Sequence, residues 1–168
     1  MSSKVFNVLF LCTGNSARSV MSEALVTILG RGRFRGYSAG SHPAGQVNPY
    51  AIEQIKRFAP GFATEGMRSK SWDEFASPEA PHMDFIVTVC DNAAGETCPF
   101  WPGRPATAHW SYQDPAAVDG SVTDKRVAFA RVFDQIKQRM EAFVALPIEQ
   151  MDGDAIRQAA KKIGEIEV

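Results

Sequence analysis

The sequence predicts a single α/β domain in which helices cover both faces of a parallel sheet. Short apolar runs typical of buried strands alternate along the chain with segments whose apolar residues recur at helical spacing. Parallel strands need crossover connections, and helical crossovers cover the faces of the sheet. The chain has 168 residues and 45% hydrophobic content, which suits one hydrophobic core.

The first half of the chain contains two strand and helix units. Residues 5–11 are almost all apolar and lead into a glycine-containing turn, which indicates a strand buried on both faces. Helical spacing follows from Ser19 to about Gly30, and a second strand is predicted over 34–39. A Gly/Pro/Ser loop over 40–47 then leads to an Asn-Pro cap and a predicted helix from Pro49 to about Phe58.

The second half is interrupted by proline and glycine over 59–83, where only a short helix at 71–75 is predicted. The later predicted elements are a strand over 84–90, a weaker strand over 106–110, a helix from about 123 to 146, and an amphipathic segment over 152–163. That last segment fits either a packed helix or a surface for a partner.

Charge and hydropathy exclude several classes of protein. Lys plus Arg (18) nearly balances Asp plus Glu (19), so no global field attracts nucleic acid or an anionic membrane. No apolar run approaches the ~20 residues of a membrane span, and the first residues lack the pattern of a secretory signal. We expect a cytoplasmic protein that binds neither nucleic acid nor membrane.

The three cysteines, Cys12, Cys90 and Cys98, are expected to be reduced in that compartment. All three lie at predicted strand ends or in loops beside polar residues, glycine or proline, which favours reactive thiols over three buried structural ones. The cysteines lack zinc-ligand spacing and the three histidines are scattered, so no metal site is predicted.

The strongest candidate site joins the first strand to the first helix. Loops in this position direct backbone N–H groups and the helix dipole at a bound anion. A helix N-terminus with a nearby arginine also favours a thiolate, so we expect Cys12 to be the nucleophile. Arg18 would hold two substrate oxygens, and Ser19 would donate a hydrogen bond to the Cys12 sulfur. The whole candidate loop is Cys12, Thr13, Gly14, Asn15, Ser16, Ala17, Arg18 and Ser19.

The alternative for this loop is a buried cysteine followed by a solvated surface arginine. The full string between an apolar strand and a helix favours the functional interpretation.

Two further thiols indicate a relay. Ligands of parallel sheets bind beyond the carboxyl ends of the strands, so Cys12, Cys90 and Asp114 should lie at one edge. If Cys12 forms an adduct with an oxyanion, Cys90 could attack Cys12 and Cys98 could then attack Cys90. Cys98 could also be a loop thiol without a role.

Four other polar residues are weaker candidates. Asp114 precedes Pro115 and could protonate a leaving oxygen, although Asp-Pro alone is an ordinary turn. Asn15, Glu23 and Ser38 could support the loop, and a purely structural role is equally compatible with their positions.

Taken together, these segments resemble the low-molecular-weight tyrosine-phosphatase fold and, within it, the thiol-dependent arsenate reductases. The resemblance spans roughly residues 4–145. Its marks are LFLCTGNSARS at 9–19, YSAGSHPAG at 37–45, NPYAIE at 48–53, SKSWDEF at 69–75, DFIVTVCDNAAGETCPFWPG at 84–103 and HWSYQDPAA at 109–117.

The resemblance implies a four-stranded parallel sheet over a catalytic domain of residues 1–147, with 148–168 as a helical extension of that domain. It implies that Cys12 attacks arsenate or a phosphate-like oxyanion held by Arg18 and the loop, with Asp114 assisting the leaving group. Cys90 and Cys98 become the resolving thiols. No tightly bound cofactor is implied; the reductant is external, either thioredoxin or glutaredoxin with glutathione or a similar small thiol.

Some positions depart from the family pattern. Position 17 is Ala where some thioredoxin-linked reductases have another cysteine, and Ala116 after Asp-Pro fits reductases better than phosphatases. Some relatives bind potassium with residues matching Asn15, Glu23 and Ser38 plus a nearby Asp. This chain has Lys70 in that neighbourhood, and we hypothesise that its ammonium replaces the ion.

Two other functions stay open at this level. The same loop with Asp114 would hydrolyse an aryl phosphate through a Cys12 adduct, as in a low-molecular-weight phosphatase. A non-enzymatic redox sensor would use oxidation of Cys90 and Cys98 as its signal.

Overall fold

A four-stranded parallel sheet with the order β2-β1-β3-β4 organises the computed structural model, which describes residues 4–90 and 105–168. Its strands are β1 (Phe6–Cys12), β2 (Phe34–Gly40), β3 (Phe85–Thr88) and β4 (Ala106–His109). The predicted fold class is therefore confirmed. β3 ends two residues before the predicted end, because its pairing with both β1 and β4 stops at Thr88.

The α-helices within residues 4–90 and 105–168 are α1 (Arg18–Gly30), α2 (Pro49–Phe58), α3 (Val122–Val144) and α4 (Gly153–Gly164). The predicted cap of α2 is present, since the Asn48 side chain accepts a hydrogen bond from the Tyr50 N–H. α3 begins with a capping box between Ser121 and Asp124. The short helix predicted at 71–75 is a 3-10 helix over Trp72–Phe75.

The central strand β1 is buried on both faces, as its continuous apolar sequence predicts. Val8 and Phe10 belong to a core shared with α1, α2 and α3. Leu9 and Leu11 on the opposite face pack in a second cluster that includes Trp72 of the short 3-10 helix. Helical elements thus cover both faces and fix the carboxyl end of β1 in the middle of the molecule.

The amphipathic segment predicted at 152–163 is a helix packed beside β4. The indole Nε1 of Trp110 donates to the Ala160 carbonyl at 2.8 Å. Gly164 lies so close to β4 that an added Cβ would stand 2.5 Å from the His109 carbonyl oxygen. Of the two predicted possibilities, the segment is therefore a packed helix. The division of the domain at residue 147 stays a prediction. Across the described ranges, no helix combines the length and apolar content needed to span a membrane.

Candidate active site

The loop between β1 and α1 turns its carbonyl groups toward the segment that follows β2. The carbonyl oxygens of Cys12, Thr13, Gly14 and Ser16 accept from the N–H groups of Ser41, His42, Ala44 and Asn48 at 3.3, 2.9, 2.8 and 2.9 Å. Because the carbonyls are engaged on this outer side, the loop N–H groups are directed toward the pocket. Such an array of N–H groups favours anions.

The N-terminus of α1, at this loop, lacks a side-chain cap. Ala17 occupies the cap position and provides no side-chain hydrogen bond, and the first turn has no acidic residue. The first N–H groups of a helix lack intrahelical partners. Asn15 gives the loop its curvature with a φ of 48°, a left-handed conformation that asparagine tolerates better than most residues. A bound oxyanion would satisfy the uncapped N–H groups.

The Cys12 thiol is buried among hydrogen-bond donors. Its Sγ lies 2.9 Å from Ser19 Oγ and accepts from the Asn15 N–H at 3.2 Å. The Asn15 side-chain amide donates to Ser19 Oγ at 2.8 Å, while its carbonyl oxygen accepts from the Lys70 N–H at 2.9 Å. Ser19 Oγ accepts from Asn15, and its hydroxyl hydrogen is available to donate to the sulfur. The Asn15 N–H and the Ser19 hydroxyl are thus the two donor groups that face Cys12 Sγ among the described residues.

Arg18 and Asp114 meet at the mouth of the same pocket. Arg18 Nη1 donates to the Tyr112 carbonyl at 3.0 Å, and Nη2 lies 3.7 Å from Asp114 Oδ2. The other carboxylate oxygen of Asp114 accepts from the Ala116 N–H at 3.0 Å, which fixes its orientation. The pocket has a volume of about 280 Å³ and is lined by Cys12, Thr13, Gly14, Ser16, Ala17, Arg18 and Asp114.

Of the other predicted thiols, Cys90 lies against the loop. Its Sγ is 3.6 Å from the Thr13 hydroxyl oxygen, and the residue is buried just after the end of β3. This neighbourhood arises because β3 pairs directly with β1, so the residues following both strands lie side by side. Cys98 lies outside the described residues.

The predicted supporting residues form a buried polar cluster behind the loop. The Ser38 hydroxyl donates to Glu23 Oε1 at 2.6 Å, and Lys70 Nζ lies 4.0 Å from that same oxygen. Burial raises the pKa of Glu23, while the bond from Ser38 and the charge of Lys70 oppose that shift. Burial lowers the pKa of Lys70, opposed by Glu23. Lys70 Nζ also donates to the Arg68 carbonyl at 2.8 Å.

Within residues 4–90 and 105–168, no three His, Cys, Asp or Glu side chains are grouped so that they could hold a metal ion.

Several residues of the site carry no signal in the sequence that identifies them. The Ser69 hydroxyl donates to the Gly14 carbonyl at 3.0 Å and accepts from the Gly45 N–H at 3.1 Å, so it joins three segments. The Tyr112 carbonyl holds Arg18 through its backbone, which any residue type provides. Gly40 lets the loop between β1 and α1 approach the end of β2 closely, and this contact is visible only in the folded structure.

Together, these features define an α/β protein in which a cysteine-containing loop between β1 and α1, here called the anion loop, presents donor groups suited to an oxyanion. The chain belongs to the low molecular weight phosphotyrosine protein phosphatase family, whose model matches residues 7–158.

Two curated relatives are arsenate reductases. That of Halalkalibacterium halodurans is 36% identical over 136 residues, covering 81% of this chain and 93% of the relative. That of Bacillus subtilis is 33% identical over 136 residues, with the same coverage.

Solved structures agree with the family assignment. An arsenate reductase in a phosphate-binding state has a TM-score of 0.66 and 26% identity, covering 84% of this chain and 98% of that one. The arsenate reductase of Archaeoglobus fulgidus has a TM-score of 0.63 and 27% identity, covering 83% and 99%. A low molecular weight tyrosine phosphatase from T. tengcongensis, at 18% identity and TM-score 0.64, shares the fold.

Proposed function

We propose that the protein reduces arsenate to arsenite in the cytoplasm. The observation that carries the proposal is the second buried thiol at the anion loop, Cys90, whose sulfur lies 3.6 Å from the Thr13 hydroxyl. Hydrolysis of a phosphate ester needs one thiol, whereas a two-electron reduction needs a second thiol to form a disulfide. The arsenate reductases among the relatives support the choice of oxyanion.

The first step is attack by the Cys12 thiolate on the arsenic atom. A sulfur–arsenic bond forms, and one arsenate oxygen leaves as water after protonation, for which Asp114 is the available acid. Arg18 and the loop N–H groups hold the remaining oxygens. The uncapped start of α1 and the pocket of about 280 Å³ provide the space and the donors for this adduct.

The second step transfers two electrons to arsenic. Cys90 attacks Cys12 Sγ, a Cys12–Cys90 disulfide forms, and the sulfur–arsenic bond breaks with its electron pair on arsenic, which leaves as arsenite. Cys98 then attacks Cys90 and releases the Cys12 thiolate. An external thiol reductant, either thioredoxin or glutaredoxin with glutathione or a similar small thiol, supplies the two electrons that reduce the Cys90–Cys98 disulfide.

The relay is tested with Cys90→Ser. We expect this variant to lose arsenite production with either reductant system and to keep aryl-phosphate hydrolysis, because Cys12, Arg18 and Asp114 stay in place. Arsenite formation is measured in parallel with both systems, and trapped disulfides are mapped by mass spectrometry. Cys12→Ser is the matched control and should lose both activities. Undiminished arsenate reduction by Cys90→Ser would refute the relay.

A second candidate is an aryl phosphatase, favoured by the position of Asp114 at the pocket mouth, 3.7 Å from Arg18. The two functions differ in their need for thiols. Wild-type hydrolysis of aryl phosphate without any arsenite production in either reductant system would support the phosphatase, and a protein inactive in both assays would leave the redox sensor.

We also propose that Lys70 replaces a monovalent cation behind the loop. Its ammonium lies 4.0 Å from Glu23 Oε1, and its own backbone N–H donates to the side-chain amide oxygen Oδ1 of Asn15. Two oxygens that would coordinate potassium therefore already face N–H donors or an ammonium, so the residues present do not fit the ion.

The test compares potassium with sodium chloride at equal ionic strength. We expect equal turnover and equal thermal stability of the wild type in both salts. Potassium stimulation that disappears in Glu23→Gln would contradict the proposal.

A further inference from the structure

A buried arginine outside the pocket links the last helix to the segment after β4, whose Tyr112 carbonyl accepts a hydrogen bond from Arg18. Arg139 of α3 is only 7% exposed. Its Nη1 donates to the Ser111 carbonyl at 2.9 Å, and its Nη2 donates to the Gly164 and Ile166 carbonyls at 3.1 and 2.9 Å. One guanidinium thus holds three carbonyls from two segments that are far apart in the sequence.

The segment after β4 receives this support directly beside the pocket. The Arg139 Cζ lies 5.0 Å from the centre of the Tyr112 ring, in the range of a cation–π contact. The backbone of the same residue faces the other way, since the Tyr112 carbonyl accepts from Arg18 Nη1 at 3.0 Å. Arg139 therefore fixes both the carbonyl before Tyr112 and the ring of Tyr112, while Arg18 uses the carbonyl that follows.

Burial of an arginine at this place is expensive unless its donors are used. The Nε of Arg139 has no partner among the described residues, so the three carbonyl bonds and the ring contact must compensate for its burial. A hydrophobic residue could fill this space without that cost. Only the planar guanidinium group can donate at the same time to the Ser111 carbonyl and to the carbonyls at the end of α4.

We propose that Arg139 is a positioning residue for the oxyanion site, acting through Tyr112 on Arg18. The contact chain runs from the end of α4 through the Arg139 guanidinium and the backbone of residues 111–112 to the Arg18 guanidinium. Loss of Arg139 would release the loop backbone, and Arg18 would lose the fixed acceptor that orients its fork. This inference rests on the proposed oxyanion site.

The test measures the affinity for inorganic phosphate, which does not depend on the relay. We expect Arg139→Gln to raise the Kd about 10-fold, the loss of roughly one charge-assisted hydrogen bond. Arg139→Lys keeps the charge and most of the aliphatic chain but loses the planar guanidinium, so it should also raise the Kd. It serves as the test if Arg139→Gln fails to fold. Failure of the wild type to bind phosphate would refute the oxyanion site itself.

Arg33→Gln is the matched control. Arg33 also donates to the Val144 and Leu146 carbonyls, at 2.7 and 3.1 Å, and so holds the C-terminal end of α3 beside the start of β2, away from the pocket. Both substitutions should lower the free energy of unfolding, but only the change at Arg139 should weaken phosphate binding. Equal Kd values for wild type and both folded Arg139 variants would overturn the proposal.

A double-mutant cycle tests the route through Arg18. Arg18→Lys keeps a positive charge but loses the bidentate geometry that the Tyr112 carbonyl orients. In that background we expect Arg139→Gln to change the phosphate Kd less than 3-fold, because the residue through which it acts is gone. Fully additive effects would show that Arg139 contributes only general stability, and would overturn its role as a positioning residue.

Discussion

Glu23, in the polar cluster behind the anion loop, makes the stability of the protein depend on pH. Burial raises its pKa above the ordinary value of 4.5, against the opposing effects of Ser38 and Lys70. A carboxyl with a raised pKa in the folded state binds its proton more tightly there than in the unfolded chain. Its contribution to stability is therefore fully present below pH 4.5 and is lost as the pH rises through the folded-state pKa.

We expect Glu23→Gln to remove this loss. The free energy of unfolding, measured by urea denaturation from pH 4.5 to 8, should decline less with rising pH in Glu23→Gln than in the wild type. Lys70→Met should steepen the decline, because the Lys70 charge lowers the Glu23 pKa.

Glu74 is a matched control with the opposite sign. Its hydrogen bond from Arg68 lowers its pKa, so its contribution is present above pH 4.5 and lost on acidification. Glu74→Gln should thus leave the decline above pH 4.5 in place. Identical pH profiles for Glu23→Gln and the wild type would contradict the assignment.

The roles of these residues differ in how visible they are in the sequence. Cys12 and Arg18 are recognisable because a loop of this kind needs both at fixed positions within one continuous string. Lys70 and Ser69 lie about 55 residues from the loop that they contact through Asn15 and Gly14. The family resemblance suggested that Lys70 lies near Asn15, but no local pattern predicts these two hydrogen bonds, because they form only when distant segments fold together.

At the scale of elements, the end of β2 sets the shape of the anion loop. A Cβ added to Gly40 would lie 2.4 Å from the Thr13 carbonyl oxygen and 3.1 Å from the Asn15 N. Backbone atoms cannot yield as a flexible side chain does, so the loop itself would have to shift. Glycine at this position is required by close approach, with no demand for a positive φ.

Gly40→Ala should destabilise the protein by about 2 kcal/mol, as overpacking of a close contact does. The displaced loop should also bind phosphate more weakly, which titration with inorganic phosphate measures. Gly61→Ala is the control, because an added Cβ there meets no atom within 4 Å. It should change stability by less than about 0.5 kcal/mol and leave phosphate binding intact. Normal phosphate affinity in a folded Gly40→Ala variant would show that the loop tolerates the shift.

The elements themselves follow closely from local sequence. The continuous apolar run of β1, the Asn-Pro start of α2 and the apolar face of α3 each predict an element whose observed bounds lie within two residues of the predicted ones. The shortening of β3 at Thr88 was not predictable, because the strand ends where its pairing with β1 and β4 stops and not where its β-branched residues do.

At the scale of the whole molecule, parallel topology explains why distant residues share one site. Cys12 is the last residue of β1, Cys90 follows β3, and Asp114 follows β4. All three therefore lie at the carboxyl edge of the sheet. Cys12 and Asp114 line one pocket, and Cys90 contacts the loop through Thr13. The general rule for such sheets anticipated this edge from the order of elements alone.

The α/β class, the central strand and the cysteine loop were predictable from the amino-acid order, because they depend on residue spacing within continuous segments. The surroundings of that loop are known only from the folded chain: the carbonyls turned toward the segment after β2, the hydrogen bonds and distances among Glu23, Ser38 and Lys70, and Arg139 holding the backbone beside Arg18. These depend on contacts between segments far apart in the chain, whose geometry is fixed only when the helices and the sheet pack around a common core.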